Sequence, residues 1–240
     1  MKLKKNIILF GSSGLIGSSL KKNLNKDYNI IGIDKKKSLN TDILLDTSKF
    51  ELSEKIINKI IKKYKKIDAA IVCIYPKTNI KKKTKYLNLN FKEFALEFNT
   101  HLEPFYNLNK IFINYFEKNN GGSIINFTSV YGSFLPRFEI YEKTTMNMPM
   151  YYALVKSSII MMTKFLAKQY LNKNIKINTI SPGGIFDNQN KSFLKKYGNY
   201  SASKKLLNSQ DLIGLVELLI SDKAKKITGQ NIIIDDGFSL

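Results

Sequence analysis

Asn6-Ile7-Ile8-Leu9-Phe10-Gly11-Ser12-Ser13-Gly14-Leu15-Ile16-Gly17 is the stretch that decides the fold. Asn6 to Phe10 is a short, largely apolar run without polar alternation, as expected of a parallel strand buried on both faces. Three glycines follow at once, and Ser18 to Asn25 reads as a helix. Strand, glycine turn and helix form the setting of a phosphate-binding loop. Glycine permits a tight turn and close backbone approach. The free N–H groups and partial positive charge of a helix N-terminus favour a pyrophosphate.

Downstream, strand and helix patterns alternate. Tyr28 to Ile33 is a second apolar run ending at Asp34, twenty residues beyond Gly14. An acidic side chain there can accept from an adenosine ribose 2′-hydroxyl and repel a 2′-phosphate, which favours NAD over NADP. Lys35, Lys36 and Lys37 pull the other way, since a lysine can reach a 2′-phosphate. Thr41 to Leu45 reads as a third strand ending at Asp46, which either meets an adenine amino group or caps the next helix. Phe50 to Tyr64 is an amphipathic helix and Ile67 to Ile74 a fourth strand, broken by Tyr75-Pro76. Lys77 to Lys85 reads as a solvated loop. Lys92 to Asn99 and Leu102 to Glu117 form one long helix or two, with Pro104 near a start or kink. Ser123 to Thr128 is a fifth strand ending at Ser129, and Ile175 to Ile180 a sixth, closed by Ser181-Pro182-Gly183-Gly184. Phe186 to Gln210 is polar and reads as a mobile loop with short helices, suited to a substrate lid at about 186–210. Asp211 to Ile220 is a helix and Gln230 to Ile234 the last strand. The expectation is an α/β single domain over 1–240: a Rossmann fold, with a doubly wound parallel sheet of about seven strands and helices on both faces.

Composition narrows the function. One cysteine, Cys73, excludes a disulfide framework, and with one histidine, His101, it leaves no metal-ligand set. The first apolar run is too short for a signal peptide or membrane span, so a cytoplasmic location without membrane contact is expected. The net charge of +20 is spread as lysine along the chain, with a single arginine, Arg137. Nucleic-acid readers rely on arginine for bidentate contacts, so no nucleic-acid partner is expected. The positive field would instead draw anionic small molecules such as phospho-sugars or nucleotide sugars.

Tyr152 and Lys156 stand four residues apart, which on a helix puts phenol and ammonium on one face, one turn apart. A tyrosine titrates near ~10 and needs help to work as an acid or base near neutrality. A lysine so placed, close to a cationic cofactor, can supply it. Taken alone, the spacing equally fits an ordinary helix face.

In this order the glycine loop, Ser129 and Tyr152-x-x-x-Lys156 resemble the short-chain dehydrogenase/reductase family over essentially the whole length. The glycine spacing differs from the family's commonest version. The resemblance implies that Ser129 hydrogen-bonds the substrate oxygen and that Tyr152 exchanges its proton. Lys156 binds the nicotinamide ribose and lowers the tyrosine pKa. It further implies a cofactor, NAD rather than NADP, held by Gly11, Ser13, Gly14, Leu15, Ile16, Gly17, Asp34, Asp46, Tyr152, Lys156, Pro182, Gly183 and Ile185. Two departures stand out. Val72-Cys73-Ile74-Tyr75-Pro76 replaces the family's Asn-Asn-Ala-Gly. His101, or its neighbour Asn99, takes the place of a helix asparagine that holds a relay water. The lengthened Ser129–Tyr152 gap, containing Pro136 to Glu142 and Met146 to Pro149, resembles bacterial oxidoreductases of flagellin modification and surface-glycan synthesis. So do Ser181 to Gln189 and the terminal Asp235 to Leu240. That likeness implies a sugar substrate on the way to a nonulosonic acid such as legionaminic acid, and a homodimer or homotetramer built on the long helices. The alternatives are a 3-ketoacyl-type or other ketone reductase of the same family, and a non-catalytic cofactor-binding protein.

Overall fold

The computed structural model describes residues 4–48, 50–76, 78 and 89–240. Seven parallel strands form one sheet: β1 (Asn6–Phe10), β2 (Asn29–Asp34), β3 (Ile43–Leu44), β4 (Ala69–Val72), β5 (Gly122–Phe127), β6 (Ile175–Pro182) and β7 (Asn231–Ile234). Their order is β3-β2-β1-β4-β5-β6-β7. From β1 the chain winds outward to β2 and β3, then crosses back to β4 on the other side. The crevice of a doubly wound sheet opens at that reversal, beyond the carboxyl ends of β1 and β4.

Among the described residues there are six helices: α1 (Leu15–Leu24), α2 (Phe50–Tyr64), α3 (Phe91–Lys118), α4 (Met150–Gln169) and α6 (Ile213–Ile220) cover the two faces, and α5 (Lys191–Gly198) lies over the carboxyl end of the sheet. Alternation along each strand sorts the core into two layers. Ile8 and Phe10 join Ile57 and Ile60 of α2, Phe105, Phe112 and Phe116 of α3, and Val155 and Ile159 of α4. Ile7 and Leu9 face the other way, onto Leu20 and Leu24 of α1 and Val216 and Leu219 of α6. A third cluster lies over the carboxyl end of the sheet and includes Val130, Tyr131, Ile140, Phe193, Tyr197 and Phe238. No described helix is long and apolar enough to cross a membrane.

Several expected boundaries move. α1 begins at Leu15, three residues before Ser18, because extended Gly14 serves as its N-cap. β4 is shorter than expected and ends at Val72; the Cys73 carbonyl turns under Gly11 instead of continuing the strand. β3 is only two residues long. α3 is one continuous helix with Pro104 inside it, started by a capping box between Asn90 and Glu93. β6 runs on to Pro182, which the strand's last position tolerates. Within the expected lid, the helix α5 and a single turn at Ser209–Leu212 form, and Phe193, Tyr197, Leu206 and Leu207 are buried. The polarity of this segment belongs to the outward faces. The expected Lys77–Lys85 loop lies outside the described residues, Thr78 excepted.

Candidate active site

The glycine loop fits a phosphate by what it leaves empty. Gly11 has φ +81°, and a Cβ there would sit 2.1 Å from the Cys73 carbonyl oxygen. A Cβ on Gly17 would sit 2.0 Å from the Gly11 carbonyl oxygen. These two positions admit only glycine, the first for its left-handed turn, the second for helix-to-loop contact. A Cβ on Gly14 would meet only one atom, the Gly11 carbonyl oxygen at 3.3 Å. Gly14 caps α1 without a side-chain bond, and the first turn holds no acidic residue. The N-terminus of α1 therefore presents free N–H groups and unopposed positive dipole to the crevice.

Asp34 closes the far end. Its carboxylate accepts from the Ser13 N–H at 3.0 Å and the Lys36 N–H at 2.9 Å. The two bonds lock the side chain in the crevice and tie it to the loop, while each oxygen keeps a lone pair. Lys35 and Lys36 line the same cavity. Asp46 does two things at once. Its Oδ1 accepts from the Ser48 N–H at 3.1 Å and the Ser48 hydroxyl at 2.8 Å in the turn before α2, and the residue also lines the cavity.

The second group of predicted residues is assembled by buried polar bonds. Asn126 of β5 exchanges amide hydrogen bonds with Asn109 of α3 at 2.9 and 3.1 Å and donates to Thr163 of α4 at 3.0 Å. The three elements are pinned in register, which sets Ser129, just past β5, against Tyr152 on the first turn of α4. The Ser129 hydroxyl accepts from the Tyr131 N–H at 3.2 Å, capping a one-turn helix, and hydrogen-bonds the Tyr152 phenol.

Burial governs the titration of this group. It raises the Tyr152 pKa, and the Ser129 hydrogen bond draws it back. It pulls the Lys156 ammonium down to about 8, against which the nearby Cys73 thiol works slightly. Both shifts favour neutral forms. The Lys156 Nζ stands 5.5 Å from the Tyr152 ring centroid and 5.6 Å from that of Phe105, so aromatic faces rather than a carboxylate meet the charge. In this structure the group that draws the tyrosine down is Ser129.

One continuous cavity of about 890 Å³ joins the two groups. Gly11, Ser13, Gly14, Leu15, Ile16, Asp34, Asp46, Ser129, Tyr152, Lys156, Pro182, Gly183 and Ile185 all line it. Gly17 does not; it acts from behind, through Gly11. The volume suits a dinucleotide with a small substrate beside it. His101 is not on the wall either. It lies buried behind Tyr75, whose ring centroid is 5.0 Å from the imidazole and 6.0 Å from Tyr152. The other relay candidate, Asn99, is exposed and away from the cavity.

Sequence reasoning missed several wall residues. Tyr75 is the side chain at the departure from Asn-Asn-Ala-Gly. Thr100 and Pro104 also line the cavity, and Pro104, lacking an N–H, leaves the Thr100 carbonyl without its helical partner. Tyr131, Tyr141, Phe193, Tyr197 and Phe238 form an aromatic roof, with Tyr197 stacked on Phe238 at 4.1 Å. A proline in a helix facing the sheet was a readable signal; the roof came from segments with no shared pattern.

A Rossmann-type sheet whose crevice runs from a glycine loop to a serine, tyrosine and lysine defines an oxidoreductase of the dinucleotide-binding class. A family profile described as enoyl-(acyl carrier protein) reductase matches residues 29–239. Post-translational flagellin modification protein A of Campylobacter coli is 37% identical over 196 residues, covering 82% of this chain and 77% of that one. A 3-oxoacyl-[acyl-carrier-protein] reductase of Thermotoga maritima is 26% identical over 199 residues, 81% of this chain and 75% of that one. The crystal structure of a short-chain dehydrogenase from Leptospira borgpetersenii with bound NAD+ superposes with a TM-score of 0.88 at 29% identity, covering 99% of this chain and 93% of that one. The chain belongs to the short-chain dehydrogenase/reductase family.

Proposed function

We propose that this enzyme interconverts a hydroxyl and a ketone on a sugar, as a phospho-sugar or nucleotide sugar, for the glycan that modifies flagellin or another bacterial surface. The observation that carries the reading is the single cavity that joins the glycine loop and Asp34 to Ser129, Tyr152 and Lys156. The similarity to the flagellin modification protein supports a sugar-related role; a place on the way to a nonulosonic acid such as legionaminic acid is part of the same proposal.

The residues fit a nicotinamide dinucleotide. The free N–H groups ahead of α1 would hold its pyrophosphate, Asp34 the adenosine ribose, and Lys156 the nicotinamide ribose. Asp34 favours NAD, because a 2′-phosphate would meet a fixed carboxylate. Bound there, the cofactor supplies or accepts the hydride. Ser129 then hydrogen-bonds the substrate oxygen and fixes its position over Tyr152. The Tyr152 phenol gives its proton to that oxygen in reduction and takes it back in oxidation. The 186–210 segment acts as roof rather than loose lid, since α5 already brings Phe193 and Tyr197 over the site. Tyrosine hydroxyls with aromatic faces suit a sugar's mixed polar and C–H surface. A homodimer or homotetramer through α3 and α4 fits the apolar Phe91, Tyr106, Met161 and Phe165, all exposed on those helices.

A second reading, reduction of a 3-ketoacyl or other non-sugar ketone, is favoured by the same aromatic roof and by the Thermotoga relative. A panel of nucleotide sugars, phospho-sugars and ketoacyl thioesters, followed by NADH absorbance, separates the two. With the best substrate, Tyr152→Phe is expected to lower kcat by ~10²–10⁴ with cofactor affinity retained. Full turnover in that variant would contradict the mechanism, whereas cofactor binding with no turnover of any substrate on the panel would leave a non-catalytic cofactor-binding role.

A further inference from the structure

Two tyrosine hydroxyls in the aromatic roof have half of their hydrogen-bonding capacity unused. Tyr131 and Tyr141 both line the cavity, together with Ser129 and Tyr152. The Tyr141 hydroxyl donates to the Tyr131 oxygen at 3.1 Å. A phenol has one hydrogen to give and lone pairs with which to receive. The Tyr131 hydrogen finds no acceptor among the described residues, and the Tyr141 oxygen receives no donor there. The pair therefore offers the cavity one donor, on Tyr131, and one acceptor, on Tyr141, with the two oxygens 3.1 Å apart.

Both rings are held in place from more than one side. Tyr131 belongs to the one-turn helix Val130–Gly132 that follows Ser129, and its N–H donates to the Ser129 hydroxyl at 3.2 Å. That turn lies directly on α4: a Cβ on Gly132 would stand 2.8 Å from the Lys156 carbonyl carbon. The place of Tyr131 relative to Tyr152 and Lys156 is thereby fixed. Its ring meets Phe238 edge-on, with centroids 6.2 Å apart. Tyr141 comes from the lengthened segment between Ser129 and Tyr152. Its carbonyl accepts from the Thr144 hydroxyl at 2.7 Å, and its ring centroid is 5.4 Å from that of Phe193 on α5. Tyr152 packs against the same cluster, so the hydroxyl pair stands beside the reacting tyrosine. Neither hydroxyl has a task in the proton transfer assigned to Ser129 and Tyr152.

We propose that Tyr131 and Tyr141 form a subsite for a second hydroxyl of the substrate, on a carbon one or two places from the one oxidised, so that the enzyme selects polyols over simple alcohols. The proposal rests on the oxidoreductase reading above and deepens it. A hydroxyl at this point accepts from Tyr131 and donates to Tyr141, which closes a ring of three hydrogen bonds. A methylene satisfies neither phenol. A thioester or keto oxygen accepts from Tyr131 but has no hydrogen to give Tyr141. Polar groups left unpaired in a closed site are what make it reject the analogue that lacks the hydroxyl. The pair binds and orients; no bond to carbon is made or broken there. It favours a sugar over a 3-ketoacyl chain on an observation separate from any relative.

The test uses the full-length protein and alcohols of a single ring size, so the natural sugar need not be known. Cyclohexanol, the cyclohexane-1,2-diols and the cyclohexane-1,3-diols are offered with NAD+ (or NADP+, whichever binds tighter), and absorbance of the reduced cofactor is followed. The best diol is expected to exceed cyclohexanol at least tenfold in kcat/KM. Tyr131→Phe and Tyr141→Phe should each bring that ratio within threefold, chiefly by raising the KM of the diol. A merely structural role would move both alcohols alike and leave the ratio standing. A parent ratio within threefold, a ratio that survives in both variants, or oxidation of none of these alcohols by protein that binds the cofactor would overturn the proposal while leaving the oxidoreductase reading intact. Failure to bind either cofactor would overturn both. Each variant keeps its aromatic ring, and NADH fluorescence reports whether it has folded; if one has not, the other decides alone.

Discussion

At one end of the cavity the wall is backbone: Gly11 and Gly14, the first N–H groups of α1, and a carboxylate fixed by two more N–H groups. At the other end it is aromatic side chain, drawn from three distant stretches. Tyr131 and Tyr141 follow β5, Phe193 and Tyr197 ride on α5, and Phe238 comes from the last segment. The cross-links of that roof are individual. Arg137 donates to the Phe238 carbonyl and stacks 4.2 Å over Tyr200. Lys196 donates to the Glu139 and Glu142 carbonyls at 2.9 and 2.8 Å. Tyr197 receives the Gly184 N–H at 2.7 Å. The lengthened segment between Ser129 and Tyr152 is therefore a brace for α5. A backbone wall reads any dinucleotide of the right shape, whereas a side-chain wall is free to diverge with the substrate.

The sharpest way to break the contrast is at the backbone end. Gly11→Ala forces a methyl against the Cys73 carbonyl at a left-handed turn, where something must shift. NADH binding in a fluorescence titration is expected to weaken a hundredfold or more; affinity within threefold of the parent would mean the loop is not the cradle. Phe238→Ala attacks the other end. It removes a ring that is 2% exposed and stacked on Tyr197, and should cost about 3 kcal/mol in chemical denaturation. The substrate KM should rise with the cofactor Kd unchanged, whereas a parallel loss of cofactor would merge the two ends into one. Asp34→Ala should lower NAD+ affinity about tenfold and raise that for NADP+, read as a ratio of Kd values; an unchanged ratio would hand the choice to Lys35 and Lys36.

The smallest effect concerns Lys156, where the ends meet. Its folded pKa of about 8 lies below the ordinary value of 10.5 for a lysine. Between those values the unfolded chain holds a proton that the folded, cofactor-free protein has released, so stability rises with pH across that window and the gain is absent below 8. Going from pH 8 to 9, this lysine should add roughly 1 kcal/mol of stability relative to Lys156→Met. Denaturation curves of the two proteins that run parallel from pH 7 to 9 would show that the lysine is not desolvated.

What could be read from the sequence follows the same division. The fold and the glycine-loop end of the cavity were legible because each step has a local signature: apolar runs without alternation, glycines at a strand end, an acid at the end of β2. Ser129, Tyr152 and Lys156 were legible as a spacing, although what brings them together, the Asn126–Asn109–Thr163 bonds, is a tertiary fact. The roof was not legible. Phe193 and Tyr197 sit among lysines and asparagines whose polarity belongs to the outer face of α5, so the composition pointed to a loose polar lid. His101 was found by alignment with a family position, but its place behind Tyr75 depends on how α3 packs against the segment after β4.

The central claim, that this crevice is a dinucleotide site gated by Asp34, is tested most directly by titrating the purified protein with NADH and NADPH side by side, following nicotinamide fluorescence. The account predicts saturable binding of both, with NADH tighter by about tenfold. Binding of neither would contradict it.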